Sequence, residues 1–372
     1  MRIIISGGGT GGHISPALAI ADIIGDYDSK IEIVYIGSKN SLESELVPKK
    51  GLRYKTISTG YLSRRIFSLS NVKTIIHNII GVFQALQIIR KEDPSLIIGT
   101  GGFVSGPVLL AGKLCSKPLI IHEQNAYPGI TNKLLSRIAD AVMISFEESK
   151  NHLTHAKKII LTGNPLRKDI FSIDRIESRK ILRCSKDDFL VYSFGGSGGQ
   201  LSLNNGILQL IKLIENDQNI KLIHVTGKRL YNRFMKSLKE QMTNEIPEHI
   251  RIVDYMHEAH VALNACDFII GSGGALTLTE IATLGIPALL IPKAYTAENH
   301  QEKNARSFEK SGAAFVLTEN EVTGEAIFNM ITIMKHNTNK YFEMKRNMRK
   351  MGRDKTNELI LSTIKECLPN NE

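Results

Sequence analysis

Arg2-Ile3-Ile4-Ile5-Ser6-Gly7-Gly8-Gly9-Thr10-Gly11-Gly12-His13 decides how the rest of the chain is read. Residues 2–6 form a β-branched run without alternation, the pattern of a strand buried on both faces. Glycines break the run, and the stretch from about 15 to 24 then has helical spacing. Strand, glycine turn and helix in that order open a doubly wound α/β fold, in which ligands meet the carboxyl ends of parallel strands.

The pattern continues outward: strands over 31–36, 96–98 and 118–121, and a helix over 75–90. It then begins again. Residues 189–194 run into Gly195-Gly196-Ser197-Gly198-Gly199 as 3–6 run into Gly7-Gly8-Gly9-Thr10-Gly11-Gly12. Ile97-Ile98-Gly99-Thr100-Gly101-Gly102 returns as Ile269-Ile270-Gly271-Ser272-Gly273-Gly274. Each echo lies about half a chain from its original, which predicts two Rossmann-like halves facing a cleft. Asn164-Pro165, before the mixed charges of 167–180, marks the seam. The expected division is 1–163, 164–340 and a closing helical segment, 341–372.

At 372 residues the chain is two ordinary domains long, and 42% apolar against 23% charged residues excludes a disordered chain. Lys and Arg outnumber Asp and Glu by 47 to 37, a surplus that suits phosphate, nucleic acid or an anionic membrane without choosing among them. Cys115, Cys184, Cys266 and Cys367 stand far apart with no CxxC, which argues against a disulfide framework or zinc site. Neither a signal-peptide apolar region nor an apolar run of ~18 residues occurs. A soluble, cytosolic, two-domain protein is expected.

Gly7-x-Gly9-x-x-Gly12 matches the dinucleotide fingerprint, yet strand 31–36 ends in Gly37-Ser38, without the acidic residue that would hold a nicotinamide cofactor's ribose. There is no P-loop. A single glycine loop reads first as a tight turn; four at one cleft favour a phosphate-bearing ligand, a nucleotide above all. His13 falls at a helix start, where the dipole favours a neutral imidazole available as a base; capping the turn or touching phosphate is an equal alternative. His122-Glu123-Gln124-Asn125 sets four polar residues at a strand's carboxyl end. Glu280 can accept from a ribose diol or form a surface salt bridge. Asn299, His300 and Gln301 extend the polar lining after strand 288–291. Asp26-Tyr27-Asp28 is a literal DxD placed at the wrong end of the sheet, and reads as a turn.

Seven segments in order now carry a resemblance. They are Gly8-Gly9-Thr10-Gly11-Gly12-His13, Gly101-Gly102-Phe103-Val104-Ser105-Gly106-Pro107, His122-Glu123-Gln124-Asn125, Gly163-Asn164-Pro165-Leu166-Arg167, Gly195-Gly196-Ser197, Gly274-Ala275-Leu276-Thr277-Leu278-Thr279-Glu280 and Gln301-Glu302-Lys303-Asn304-Ala305. Together they resemble the MurG family of N-acetylglucosaminyltransferases in glycosyltransferase family 28. The resemblance implies a GT-B fold and an inverting, metal-independent hexosyltransferase without a cofactor. Its donor would be UDP-GlcNAc. Its acceptor would be lipid I, the undecaprenyl-diphosphate-linked MurNAc-pentapeptide, converted to lipid II in peptidoglycan synthesis.

By the same resemblance His13 is the general base. Thr10, Gly11 and Gly12 close over the donor, while Asn125, Arg167 and Gln301 line its pocket with Ala275, Leu276 and Thr277. Ser197 and its loop hold the diphosphate, Glu280 the ribose and the main chain near Met256 the uracil. Gly101, Gly102 and Glu123 lie on the acceptor side. Two departures stand out. The family usually has Arg-Ala-Gly-Ala or Arg-Ser-Gly-Ala where this chain has Ser272-Gly273-Gly274-Ala275, so a cation is missing near the donor. The loop 293–300 is also one residue longer than in some members.

A lipid acceptor implies contact with the anionic inner membrane surface, as a peripheral protein on the cytoplasmic face. Arg64 and Arg65 precede a helix whose Ile75, Ile76, Ile79, Ile80 and Phe83 form an apolar stripe, with Lys73 nearby. A core-facing helix side is the commoner explanation of such a stripe. Other cell-wall enzymes are possible partners; nucleic acid is not expected. The alternatives are another GT-B enzyme that builds glycolipids, a UDP-GlcNAc 2-epimerase that needs no acceptor, and a silent UDP-sugar-binding regulator.

Overall fold

The computed structural model describes residues 1–61, 69–196, 198–242, 245–296, 299–353 and 355–369. Two compact units divide the chain: Met1–Leu166 with Lys355–Glu372, and Arg167–Asp354.

The first unit runs β1 (Arg2–Gly7), α1 (Gly11–Tyr27), β2 (Glu32–Ser38), α2 (Leu42–Lys49), β3 (Arg53–Ile57), α3 (Leu69–Glu92) and β4 (Leu96–Gly101). It continues with α4 (Gly102–Leu114), β5 (Leu119–Glu123), α5 (Ile130–Leu135), β6 (Ala141–Ile144) and β7 (Ile159–Leu161). All seven strands are parallel, in the order β3-β2-β1-β4-β5-β6-β7. The order reverses between β1 and β4, and there the first glycine loop and the Thr100-Gly101-Gly102 turn lie side by side. Ile3 and Ile5 pack with α1 on one face, and Ile4 with α3 and α4 on the other. That alternation is why the opening run is apolar at every position.

The second unit holds α6 (Arg175–Ile181), β8 (Phe189–Phe194), α7 (Leu201–Ile214), β9 (Ile220–Val225), α8 (Tyr231–Gln241), β10 (Ile250–Val253) and α9 (Ala259–Ala265). Next come β11 (Phe268–Gly271), α10 (Ala275–Leu284), β12 (Ala288–Leu290), α11 (His300–Lys310), β13 (Ala314–Val316), α12 (Gly324–His336) and α13 (Thr338–Met351). Its parallel order, β10-β9-β8-β11-β12-β13, reverses between β8 and β11. The echoed glycine loops therefore occupy the equivalent switch point in each unit. These are two doubly wound Rossmann-like domains, consistent with GT-B.

Segment 341–372 divides between the units. Met344 and Met348 of α13 join the second core, whereas α14 (Thr356–Cys367) places Ile360 and Ile364 against Ile3, Ile20 and Ile24 in the first. Two fully buried isoleucines contribute about 1.5–3 kcal/mol each, which anchors the chain's end on the first sheet.

Candidate functional site

Helix α1 begins at Gly11, earlier than the glycines' poor helix propensity suggests. Thr10 stands at the N-cap in extended conformation and its carbonyl accepts from His13 N at 3.1 Å and Ile14 N at 3.2 Å. His13 is thereby held in the first turn, at the carboxyl end of β1. Its Nδ1 lies 3.0 Å from the Thr100 carbonyl oxygen and 3.2 Å from Gln124 Oε1. Both neighbours are acceptors, so Nδ1 carries the proton and Nε2 keeps its lone pair.

A buried chain of hydrogen bonds continues from there. Gln124 Nε2 approaches His122 Nδ1 at 3.0 Å and donates to the carbonyls of Thr100 and His122, both at 2.9 Å. His122 Nε2 lies 3.1 Å from the Gly163 carbonyl. An oxygen acceptor on Nε2 makes Nδ1 the accepting nitrogen, and burial drives the His122 pKa down to about 4. The side-chain links therefore run one way, His13 donating to Gln124, Gln124 to His122 and His122 to the Gly163 carbonyl. The sequence places Gln124 in a polar cluster but carries no signal of this link, because the partners come from four different segments.

Glu123 has a different task. Its Oε1 accepts from Asn125 N at 2.9 Å and Asn125 Nδ2 at 3.2 Å, and its Oε2 from Gly129 N at 3.1 Å and Asn132 Nδ2 at 2.8 Å. Four donors from the following loop and α5 saturate the buried carboxyl, which organises that loop. Gly101 and Gly102 have φ of 102° and 81°, conformations open to glycine alone at low cost. A Cβ at Gly101 would sit 2.9 Å from His13 Nδ1, and one at Gly102 2.0 Å from the Gly8 carbonyl oxygen. These glycines let the two loops of the switch point close on each other.

The first glycine loop is filled by the protein itself. Glu43 of α2 reaches over it, accepting from Gly9 N at 3.3 Å and Ser38 Oγ at 2.7 Å. Cβ atoms at Gly7, Gly8 and Gly9 would strike Thr100, Glu43 and Phe103. Only Gly11 and Gly12 open outward: nothing lies within 4 Å of a Cβ at Gly11, and only Thr10 Oγ1, at 3.7 Å, near one at Gly12. A carboxyl group at the loop disfavours phosphate there, and Glu43 gave no sign of this in the sequence.

In the second unit Arg167 Nε donates to Glu280 Oε1 at 2.8 Å. Burial lifts the Glu280 carboxyl above the ordinary range, and Arg167 offsets part of that rise. Oε2 has no hydrogen-bond partner among the described residues. Ala275, Leu276 and Thr277 form the first turn of α10, whose Gly274 N-cap offers no side-chain cap. Their amides are therefore open to an anion or a sugar hydroxyl.

Gln301 joins this group, because a Cβ at Gly273 would meet the Gln301 carbonyl oxygen at 2.2 Å, and Gln301 Oε1 accepts from Lys293 N at 3.0 Å. Met256 follows β10, on the same sheet edge but two strands from β8. Ser197, Arg64 and Arg65 lie outside the described residues.

On α3 the stripe is solvent-exposed: Ile75, Ile76, Ile79, Ile80 and Phe83 range from 42% to 62% accessible. The opposite side of the helix, with Ala85 and Ile89, faces the core. Neighbouring α4 and α5 add exposed Leu110, Leu114, Ile130 and Leu134. Among the described residues no helix is long and apolar enough to cross a membrane. Among them, too, no group of three or more His, Cys, Asp or Glu side chains could hold a metal ion.

Comparison with known proteins identifies the family. Residues 3–144 match the glycosyltransferase family 28 N-terminal domain and residues 190–360 its C-terminal domain. The UDP-N-acetylglucosamine–N-acetylmuramyl-(pentapeptide) pyrophosphoryl-undecaprenol N-acetylglucosamine transferase of Desulforamulus reducens is 39% identical over 370 residues, covering 99% of each chain. The protein of the same name from Clostridioides difficile is 39% identical over 366 residues, covering 98% of this chain and 88% of that one. Among solved structures, Acinetobacter baumannii MurG superposes with a TM-score of 0.78 at 23% identity, covering 98% and 99% of the two chains. The UDP-GlcNAc 2-epimerase of Neisseria meningitidis bound to UDP-GlcNAc gives 0.68 at 13% identity, covering 98% and 100%, a likeness of fold alone.

Proposed function

The chain belongs to glycosyltransferase family 28, and on that premise we propose that it transfers N-acetylglucosamine from UDP-GlcNAc to the 4-hydroxyl of MurNAc in lipid I, giving lipid II. The observation that carries the reading is His13, whose Nδ1 is bound to two acceptors and whose Nε2 is left as a base. Nε2 removes the proton of the acceptor 4-hydroxyl as its oxygen bonds to the anomeric carbon. The bond from that carbon to the UDP oxygen breaks, UDP leaves with the electron pair, and the α-linked donor becomes a β-linked product. General-base help of this kind contributes roughly 10²–10⁴-fold.

The first unit receives the acceptor, with Gly101 and Gly102 shaping the turn beside His13 and Glu123 holding the following loop. The second binds UDP-GlcNAc through Arg167, Glu280, Gln301, the amides of Ala275–Thr277, the Ser197 loop and the main chain at Met256. By the family resemblance, Thr10, Gly11, Gly12 and Asn125 also take part in donor binding. The exposed stripe of α3 rests on the cytoplasmic leaflet, where Arg64 and Arg65 meet anionic headgroups. The departing diphosphate is stabilised by helix-start amides and cations without a metal. Other cell-wall enzymes are candidate partners at that surface.

The test is transfer of labelled N-acetylglucosamine to a short-chain lipid I analogue in excess EDTA. The expected product is the β-1,4-linked disaccharide. Acceptor-independent isomerisation of UDP-GlcNAc would instead make the chain an epimerase, and UDP-sugar binding without turnover a silent homologue.

A further inference from the structure

The loop between β8 and α7 packs against the turn after β9, and the glycines there are of two kinds. Gly195, Gly199 and Gly227 are packed against protein: Cβ atoms there would lie 2.5 Å from Gln200, 2.2 Å from the Thr226 carbonyl oxygen and 2.6 Å from Gly199. Gly196 and Gly198 are not. The nearest atoms to a Cβ at Gly196 are Ser272 Oγ at 3.7 Å and Lys293 Nζ at 3.8 Å; at Gly198 the nearest is an Arg229 guanidinium nitrogen at 3.7 Å. Two open backbone positions thus look out on two cations and a hydroxyl.

Neither cation sits in an ion pair of its own among the described residues. Lys293 Nζ donates to the Gly199 carbonyl at 2.9 Å and forms no ion pair among the described residues. Arg229 is exposed and likewise has no ion-pair partner among them. The nearby carboxylate, Glu319, is already occupied: Oε1 accepts from Gln200 Nε2 at 3.0 Å and Ser202 Oγ at 2.6 Å, and Oε2 from Ala294 N at 3.1 Å. Burial pulls the Lys293 ammonium below its usual range, Glu319 works against that, and Arg229 adds repulsion. Two positive side chains beside open glycine backbone make a surface that favours an anion.

We propose that Lys293, with Arg229, is the cationic half of a nucleoside-diphosphate site over Gly196 and Gly198, and that its ammonium makes good the cation absent at Ser272. Ser272 Oγ and Lys293 Nζ reach the same point from β11 and from the segment after β12, so a charge lost at one position is supplied from the other. The inference rests on the reading of UDP-GlcNAc as donor and names the residues that hold its diphosphate. By charge alone, Lys293 also stabilises the leaving group as the bond to the anomeric carbon breaks.

Calorimetric binding of UDP, UMP and uridine to the full-length protein tests this, with Lys293→Gln as the principal variant. Glutamine removes the charge and keeps an N–H donor on a side chain one methylene shorter. UDP affinity should fall about 10- to 100-fold, as expected for loss of a charge-assisted contact, with uridine unchanged and UMP intermediate. The salt dependence of UDP binding should flatten, and adding Ser272→Arg should recover most of the loss. Arg229→Gln should give a smaller loss of the same pattern. Undiminished UDP binding by Lys293→Gln would overturn the proposal, as would a parallel loss of uridine, which would make Lys293 a pin for the loop. A folded wild-type protein that binds none of the three would instead refute the donor assignment itself.

Discussion

His13 and Gln124 face each other with the imidazole Nδ1 3.2 Å from the amide oxygen, and no carboxylate takes part in the contact. The base is oriented by an amide, which is backed in turn by the buried His122. Gln124 therefore acts as a positioning residue. With the Thr100 carbonyl it selects the tautomer and accepts from the imidazolium formed during transfer, without adding a negative charge to a site that must receive diphosphates.

Gln124→Leu should lower kcat about tenfold or more while leaving the KM for UDP-GlcNAc nearly unchanged. Because the Thr100 carbonyl still accepts from Nδ1, the His13 imidazole nitrogen-15 shifts should keep the same tautomer and report only the loss of the second acceptor. Leaving His122 Nδ1 unpaired should also cost about 1–3 kcal/mol of stability, read by urea denaturation. Loss of stability alone, with kcat per folded molecule intact, would make Gln124 merely structural.

Acid should weaken both units. Burial drives the pKa of His122 to about 4 and that of His224 to about 3, whereas an unfolded histidine titrates near ~6.5. Between those values the unfolded chain binds more protons. Stability is therefore complete above about pH 6.5 and falls as the pH drops, by about 1.4 kcal/mol per pH unit for each histidine. Denaturation at pH 7.5 and 5.0 should show the slope, and His122→Asn should reduce it. An unchanged slope in that variant would refute the assignment.

Glu280 offers Oε2 to a ligand while Oε1 stays on Arg167. If the ribose diol takes that oxygen, Glu280→Gln should weaken UDP-GlcNAc by about 1.5–3 kcal/mol. The 2′-deoxy donor should then lose little more in the variant than it has already lost in the wild type. Additive losses would place the ribose elsewhere.

The α3 stripe should be needed for membrane binding and dispensable for folding. Ile79→Ser with Phe83→Ser removes two exposed apolar side chains and leaves the core-facing Ala85 and Ile89 untouched. Flotation with anionic vesicles should fall at least tenfold, from ~1.5–3 kcal/mol per side chain that would be buried. Turnover of a water-soluble acceptor should be unchanged. Full vesicle binding would exclude this surface.

The architecture was readable because glycine loops punctuate parallel strands at fixed places: both echoes land on the two switch points. His122–Asn125 could be placed at a strand's carboxyl end for the same reason. The roles of the individual residues were not readable there, since Glu123 turns to its own loop while Gln124 reaches His13. Glu43 and Lys293 escaped notice because each approaches its loop from a separate segment, Lys293 some 94 residues away from Gly199. Periodicity identified the α3 stripe but could not say what covers it, since a repeat of apolar residues defines a face and not its partner. The helix start at Gly11 is not legible because propensity weighs against glycine, while the Thr10 carbonyl, which accepts from His13 N and Ile14 N, closes the first turn.

The most direct test of the account is the pair of quantities kcat and UDP affinity for His13→Ala, measured with a soluble lipid I analogue in EDTA. The account predicts a fall in kcat of about 10²–10⁴-fold with UDP affinity unchanged, since the base serves the acceptor alone. Near-normal turnover, or a loss explained wholly by weaker UDP binding, would contradict it.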